Sequence, residues 1–189
     1  MGEAAGRAGA DGKGGIVLPP RAREQLETPR LIIRDFVPGD AADLHEILGD
    51  PETMKYCEPA YDFEKTRRFL ASFCIARGGA MAAVHKQSAK VIGYMLFNET
   101  SPREYELGWF INRHFWRQGY AFEACQALID YAFNVLGAQK VFAETVDPVG
   151  SIGLMQKLGM RPEELQHDPL NKTTRYIYAL KNTEREVLI

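Results

Sequence analysis

Tyr105-Glu106-Leu107-Gly108-Trp109-Phe110-Ile111 runs through Asn112-Arg113-His114-Phe115 into Trp116-Arg117-Gln118-Gly119-Tyr120-Ala121-Phe122-Glu123-Ala124. The first seven residues, rich in aromatic and branched side chains, read as a β-strand. The end of the stretch opens a long helix. The first turn of a helix exposes backbone N–H groups without intrahelical partners, at the positive end of the macrodipole. Gly119 and Ala121 are small enough to let an anion reach that backbone, and Arg117 sets a positive charge beside it. Two readings fit this local pattern: a seat for a pyrophosphate, or a glycine that only starts a helix after a loop. Neither a G-x-G-x-x-G fingerprint nor a P-loop is present.

Outward from this stretch the pattern of elements follows. From residue 119 to about 136 the polar positions Glu123, Gln126, Asp130 and Asn134 form a narrow stripe on an otherwise apolar helix, which must lie against a sheet. Gly137 is placed to end it, and residues 141–146 form the next strand. The helix then serves as a crossover, so strands 105–111 and 141–146 are expected to run parallel. Upstream, residues 80–85, 91–97 and 105–111 are joined by a polar turn at 86–90 and a loop at 98–104, which predicts an antiparallel meander. Residues 31–36 form an earlier strand. Pro38-Gly39-Asp40 turns the chain, and Asp40 is expected to cap a helix carrying Ala41, Leu44, Ile47 and Leu48. Asp50-Pro51 breaks that helix. A second helix starts after Asp62, with Phe63, Phe69, Leu70, Phe73 and Cys74 facing the core and Gly78-Gly79 at its end. A short helix at 151–158 stops at Gly159, and residues 173–181 make a final strand. The fold class is α+β, with a mixed, mostly antiparallel central sheet that has one parallel pair and is flanked by helices. Residues 25–189 are expected to form one domain. Residues 1–24, with Gly2, Gly6, Gly9, Gly12, Gly14 and Gly15, are expected to be a disordered tail.

Composition narrows the function. The chain has 189 residues and a formal net charge of −2. Its sequence pI near 6.1 offers no basic field for a nucleic-acid backbone. No apolar run approaches the ~20 residues of a membrane span, and the N-terminus lacks a signal-peptide core. Cys57, Cys74 and Cys125 are odd in number and widely spaced, and His45, His85, His114 and His167 lie far apart. A disulfide framework and a metal site are therefore not expected, and a reducing cytoplasm is the default setting.

Four segments resemble the GNAT family of N-acetyltransferases, specifically its branch like the ribosomal-protein N-terminal acetyltransferases. They are Glu27-Thr28-Pro29-Arg30-Leu31-Ile32-Ile33-Arg34, Asp50-Pro51-Glu52-Thr53-Met54, the stretch from Tyr105 to Ala124, and Gln156-Lys157-Leu158-Gly159-Met160. The resemblance spans residues 27–181. It implies a fold whose parallel central strands splay apart to admit the pantetheine arm of acetyl-CoA. It places the backbone of Phe110, Ile111 and Asn112 on that arm, and the amides of Arg117, Gln118, Gly119, Tyr120 and Ala121 on the pyrophosphate. Three positions depart from the family pattern. Trp116 stands where the family's loop begins with Gln or Arg. The segment Asp147-Pro148-Val149-Gly150-Ser151 is shorter and lacks the family's Asn. Met155 stands where many members carry a tyrosine acid.

The implied reaction is direct acetyl transfer to a primary amine, which is a protein N-terminus or a small molecule. The amine must be neutral to attack, and its pKa is about 10.4 for a lysine or about 7.7–8 for an α-amino group. A carboxylate can take the proton. Glu106, near the start of the central strand where the family often keeps its base, is the first candidate, and a cross-strand structural role is the competing reading. Glu99 and Glu144 are alternatives. A backbone N–H near Phe110 or Ile111 can serve the oxyanion. Ser151 is a candidate to steady the thiolate and contact the cofactor, or else a helix cap. Cys125 and Trp109 are read as core. Phe115 and Trp116 fit either a cleft lining or corner packing. Cys57 has no paired histidine, and His114 is a weak candidate for proton transfer. The chain is expected to act as a monomer or homodimer. The alternative from another class is a non-catalytic acyl-CoA-binding module.

Overall fold

The computed structural model describes residues 4–5, 23–170 and 172–185. Its elements in chain order are β1 (Ala4–Ala5), β2 (Leu26–Glu27), β3 (Leu31–Asp35), α1 (Ala41–Leu48), α2 (Pro51–Met54), α3 (Phe63–Phe69), β4 (Ala80–His85), β5 (Lys90–Ser101), β6 (Glu104–Ile111), α4 (Tyr120–Asn134), β7 (Lys140–Thr145), α5 (Gly150–Lys157), β8 (Arg161–Asp168), β9 (Thr173–Lys181) and α6 (Asn182–Arg185). The sheet order is β2-β3-β4-β5-β6-β7-β9-β8, with β1 laid against β6. All pairings are antiparallel except β6 with β7. The mixed sheet, the crossover helix and the parallel pair are those the sequence predicts. Most of the expected tail lies outside the described residues. Arg23, at its end, donates to Asp35 and to the carbonyls of Phe97 and Ala80.

Alternation along the strands sorts side chains onto two faces. On one face Leu107, Trp109, Ile111, Val141 and Ala143 pack under the apolar side of α4, with Leu128, Ile129 and Cys125 fully buried. On the other, Tyr94, Leu96 and Phe110 meet Leu44, Ile47, Met54 and Leu70 from the helices ahead of β4. No helix among the described residues is long and apolar enough to cross a membrane.

The parallel pairing is short. Only Glu104, Tyr105 and Glu106 of β6 match Lys140, Val141 and Phe142 of β7. Beyond Glu106 the two strands part, and the inner edge of β6 faces a gap.

Local details differ from the sequence reading in ways that physics explains. Asp40 does not cap α1. It sits in a 3₁₀ turn, accepts the Val37 N–H at 2.9 Å and takes a two-pronged ion pair from Arg34, which raises the guanidinium pKa. The stretch 98–104 is not an open loop. β5 continues to Ser101 and turns through Pro102 and Arg103, whose φ is +64°. Phe63 is exposed and lies edge-on to His45 rather than in the core. The helix begun at Phe63 widens into π-helical turns over Leu70–Ala76.

Leu128 is fully buried between α4 and the sheet. Its replacement by Ala is expected to cost about 2–5 kcal/mol. The measurement is a lower urea midpoint with little change in slope.

Candidate active site

The gap between β6 and β7 is bordered by backbone. In an antiparallel ladder, alternate residues turn their N–H and C=O toward one neighbour and then the other. Asn112 donates its N–H to the Ile92 carbonyl at 2.8 Å, and Phe110 lies opposite Tyr94 in the same register. Phe110 and Asn112 therefore face β5. Leu107, Trp109 and Ile111 turn their backbone groups to the gap. Of the three residues assigned to the pantetheine arm from sequence, Ile111 alone borders it through its backbone, and its carbonyl accepts the Trp116 indole N–H at 2.7 Å. Asn112 acts through its buried side chain, which donates to Glu46 and accepts from the His114 N–H. The same β6 edge takes an extended backbone: Ala4 and Ala5 pair with Phe110 and Trp109.

At the C-terminal end of β6 the chain turns sharply into α4. Arg117 has φ +58° and Gly119 φ +83°. A left-handed residue is costly for any side chain with a Cβ, so Arg117 holds a shape that local preference opposes, while Gly119 adopts it freely. No side chain caps α4. The N–H groups of Tyr120, Ala121 and Phe122, in its first turn, have no carbonyl one turn back to receive them. Arg30 holds this turn from outside. Its guanidinium donates to the Gln118 carbonyl at 2.9 Å and to Glu123 at 2.6 Å, and lies 4.1 Å from the Tyr120 ring centre. A Cβ at Gly119 would come within 3.4 Å of the same guanidinium. Burial pushes the Glu123 pKa up, but hydrogen bonds from Thr28 and Arg30 outweigh it and hold the carboxyl below its usual range. Tyr120 reaches His85, 3.1 Å from its Nε2. The turn thus presents free amides, a small residue and two arginines, a set that fits a pyrophosphate.

On the far side of the gap, the capping of α5 belongs to Asp147. Its carboxylate accepts the N–H groups of Val149, Gly150 and Ser151. Ser151 is fully buried inside the first turn, and Met155 is fully buried in the core. No hydroxyl stands at the position where the family often has its tyrosine.

Glu106 is the last β6 residue paired with β7, so it stands at the fork. It is half-buried and accepts no hydrogen bond among the described residues. Burial, helped by the charge of Glu144 and opposed by Arg175, pushes its pKa up to about 7. Glu99 is committed to the β5–β6 turn, where it accepts the Arg103 N–H. Across the same sheet face, Cys57, Glu58, Tyr61, Tyr94 and Phe110 border a small cavity between the helices and the sheet. Tyr61 donates to Glu58 at 2.6 Å. Cys57 is exposed, yet desolvation of its thiol, with Glu58 beside it, pushes its pKa up to about 11. It is not a thiolate nucleophile at neutral pH. Trp109 is core, as expected, and its indole N–H is buried without a partner among the described residues.

The comparisons with known proteins agree with this geometry. The acetyltransferase (GNAT) domain profile matches residues 30–161. The uncharacterized N-acetyltransferase p20 of Bacillus licheniformis is 31% identical over 155 residues, covering 77% of this chain and 86% of its own length. The uncharacterized N-acetyltransferase YnaD of Bacillus subtilis is 30% identical over 142 residues, covering 73% and 83%. The crystal structure of a GNAT-family acetyltransferase from Bacillus anthracis superposes with a TM-score of 0.77 at 28% identity, covering 84% of this chain and 98% of that one. The chain belongs to the GNAT acetyltransferase family and is an N-acetyltransferase. That family uses acetyl-CoA as its acetyl donor.

Arg117 tests the turn directly. Arg117→Gly removes the side chain from a left-handed position, so stability is expected to stay within about 1 kcal/mol of the parent. Acetyl-CoA binding is expected to weaken. Thermal unfolding and calorimetric titration of the same preparation check both halves.

Proposed function

We propose that the protein transfers acetyl directly from acetyl-CoA to a primary amine that reaches Glu106 at the fork. The acceptor is a protein N-terminus or a small-molecule amine. The observation that carries this reading is a half-buried carboxylate that, among the described residues, has no hydrogen-bond donor, at the point where β6 and β7 part. The pantetheine arm would lie along the gap-facing backbone of Trp109 and Ile111, and the pyrophosphate at residues 117–121. Ala121 and Gly119 leave room there, and Arg117 supplies charge. The bound donor provides the activated acetyl group. Glu106 accepts a proton from the incoming ammonium, the neutral amine attacks the thioester carbonyl, and the C–S bond breaks, so that the thiolate leaves and takes up the proton the new amide nitrogen sheds. The gap-facing N–H of Ile111 is a donor for the developing oxyanion. Ser151, buried at the start of α5, is a candidate to contact the cofactor near its sulfur. Three cysteines, odd in number and widely spaced, support a reducing, cytoplasmic setting, and the protein works as a monomer or homodimer.

Glu106→Gln keeps the shape and removes the proton acceptor. It is expected to lower the rate about 10²–10⁴-fold with little change in acetyl-CoA affinity. A base works only when deprotonated. In the parent, kcat/KM should therefore rise with pH through about 7, the value to which burial and Glu144 raise this carboxyl. In Glu106→Gln that limb is expected to give way to the acceptor amine's own titration, at about 7.7–8 for an α-amino group or about 10.4 for a lysine-like amine. Parent-like turnover with an unchanged pH profile would remove Glu106 from the mechanism.

The Ala4–Ala5 strand occupies the edge assigned to the pantetheine arm. Deleting residues 1–22, with Arg23 retained, is expected to tighten acetyl-CoA binding, because the cofactor no longer displaces a strand. An unchanged dissociation constant by calorimetry would show that the two do not share the edge.

A further inference from the structure

The fork has two lips, and each carries a carboxylate. Glu106 lies opposite Phe142 in the parallel register. Glu144 is two residues further along β7, so alternation returns it to the same sheet face. The antiparallel register sets Glu144 opposite Ile177 of β9, which brings Arg175 to that face as well. Arg175 then meets Glu144, Nη1 to Oε2, at 3.5 Å. Only Glu144 of the two carboxylates has a paired cation. The Glu106 carboxylate is left without a hydrogen bond or ion pair of its own among the described residues, and sits beside a fixed negative charge.

The other groups around this face leave that charge uncompensated. From β5, Asn98 is opposite Glu106 and is neutral, and Tyr94 is a phenol pushed well above its ordinary pKa by burial, so it is neutral too. On β6 itself, Glu104 is tied to Lys140 at 3.1 Å. From the helical layer, Glu58 and Lys65 neutralise one another at 2.8 Å. From the β8–β9 hairpin, His167 and Asp168 share a cavity of about 420 Å³ with Arg175.

We infer that Glu144, tethered by Arg175, is a positioning residue that acts through Glu106: its charge on the opposite lip sets how firmly Glu106 keeps the proton it takes from the acceptor amine. Arg175 moderates the effect from the other direction, because its guanidinium partly cancels the Glu144 charge. The inference rests on the reading of Glu106 as the proton acceptor. No electron or atom balance changes: one proton leaves the ammonium, resides on Glu106 and passes to solvent. The raised proton affinity of Glu106 supports the arrangement, with Glu144 raising it and Arg175 lowering it.

The test is the acidic limb of kcat/KM against pH, with acetyl-CoA saturating and one amine acceptor throughout. Glu144→Gln removes the like charge, so the limb is expected to move to lower pH, by about half to one unit. Arg175→Met leaves the Glu144 charge unscreened, so the limb is expected to move to higher pH by a similar amount. Arg175→Lys restores a cation and is expected to return the limb toward the parent position. A purely structural role for the pair would lower the rate in both variants without moving the limb in opposite directions. If Glu106→Gln abolishes the limb but Glu144→Gln and Arg175→Met leave it in place, or shift it the same way, the inference is overturned and the base reading stands. If Glu106→Gln keeps the limb, the base reading falls and this inference falls with it. Circular dichroism melts of each variant show that the profiles come from folded protein.

Discussion

The parting of β6 and β7 after Glu106 is the constraint on which the rest of the structure turns. A sheet that opens in its middle leaves backbone donors and acceptors facing a gap, and unpaired backbone groups away from water carry a high cost. The fold meets that cost with partners other than a continuous ladder. Ala4–Ala5 pairs along part of the β6 edge, and the Trp116 indole caps the Ile111 carbonyl. Below the fork, three register pairs and the α4 crossover hold the strands together. Above it, α4 and α5 pack from the same side, so the gap has a rigid floor of Leu107, Trp109 and Ala143. An edge of this kind is prepared for any extended chain of amides, whether peptide or pantetheine.

The turn into α4 shows the same logic of local cost met by distant support. Arg117 adopts a left-handed conformation that its Cβ disfavours, beside Gly119, which adopts one freely. Arg30 supplies the compensation from the β2–β3 region, in contact with Gln118, Tyr120 and Glu123 at once. The Arg30–Glu123 pair is more than a surface bridge. Glu123 is largely shielded and receives two further hydrogen bonds, from the Thr28 hydroxyl and the Arg30 amide. Fixing the Gln118 carbonyl outward orients the following peptide units, whose N–H groups then stand free at the helix start. The strain is therefore located where an anion would repay it.

These two regions also show what a sequence discloses and what it hides. The central strand, the greasy crossover helix and the turn at Gly119 were legible because each rests on local chemistry: alternation, a 3.6-residue period and a glycine in a left-handed turn. Arg30 was legible only as part of a motif, because its partners lie far along the chain and no local period announces them. β8 was not legible at all. Its residues, Arg161 to Asp168, are nearly all exposed and polar, and it is a strand because β9 offers it an edge rather than because its side chains seek a core. Asp147 lies in a segment that the sequence marks only by its missing Asn, yet it caps α5 through three amides. Which carboxylates stand near the fork likewise depends on register, which puts Glu106 and Glu144 on one sheet face. Glu99 and Glu106 are both on the hairpin, but a tight turn at Arg103 claims the first.

The fork holds a carboxylate at a cost to stability. A carboxyl whose proton affinity is raised in the folded state opposes folding once it ionises. Its contribution is neutral at low pH and becomes unfavourable as pH rises from the unfolded value to about 7. A residue chosen for stability alone would carry a donor for that carboxylate, as Glu123 does, or would be apolar. Among the described residues Glu106 has neither arrangement, and Arg175, whose charge it feels, is paired with Glu144. The pair of β-strands that must open for a cofactor also lifts Glu106 out of full solvation without burying it completely. The same geometric event, the end of the parallel ladder, thus opens the gap and sets a carboxylate beside it. On the proposed reading, that coupling ties acetyl-donor binding and proton removal to one feature of the backbone.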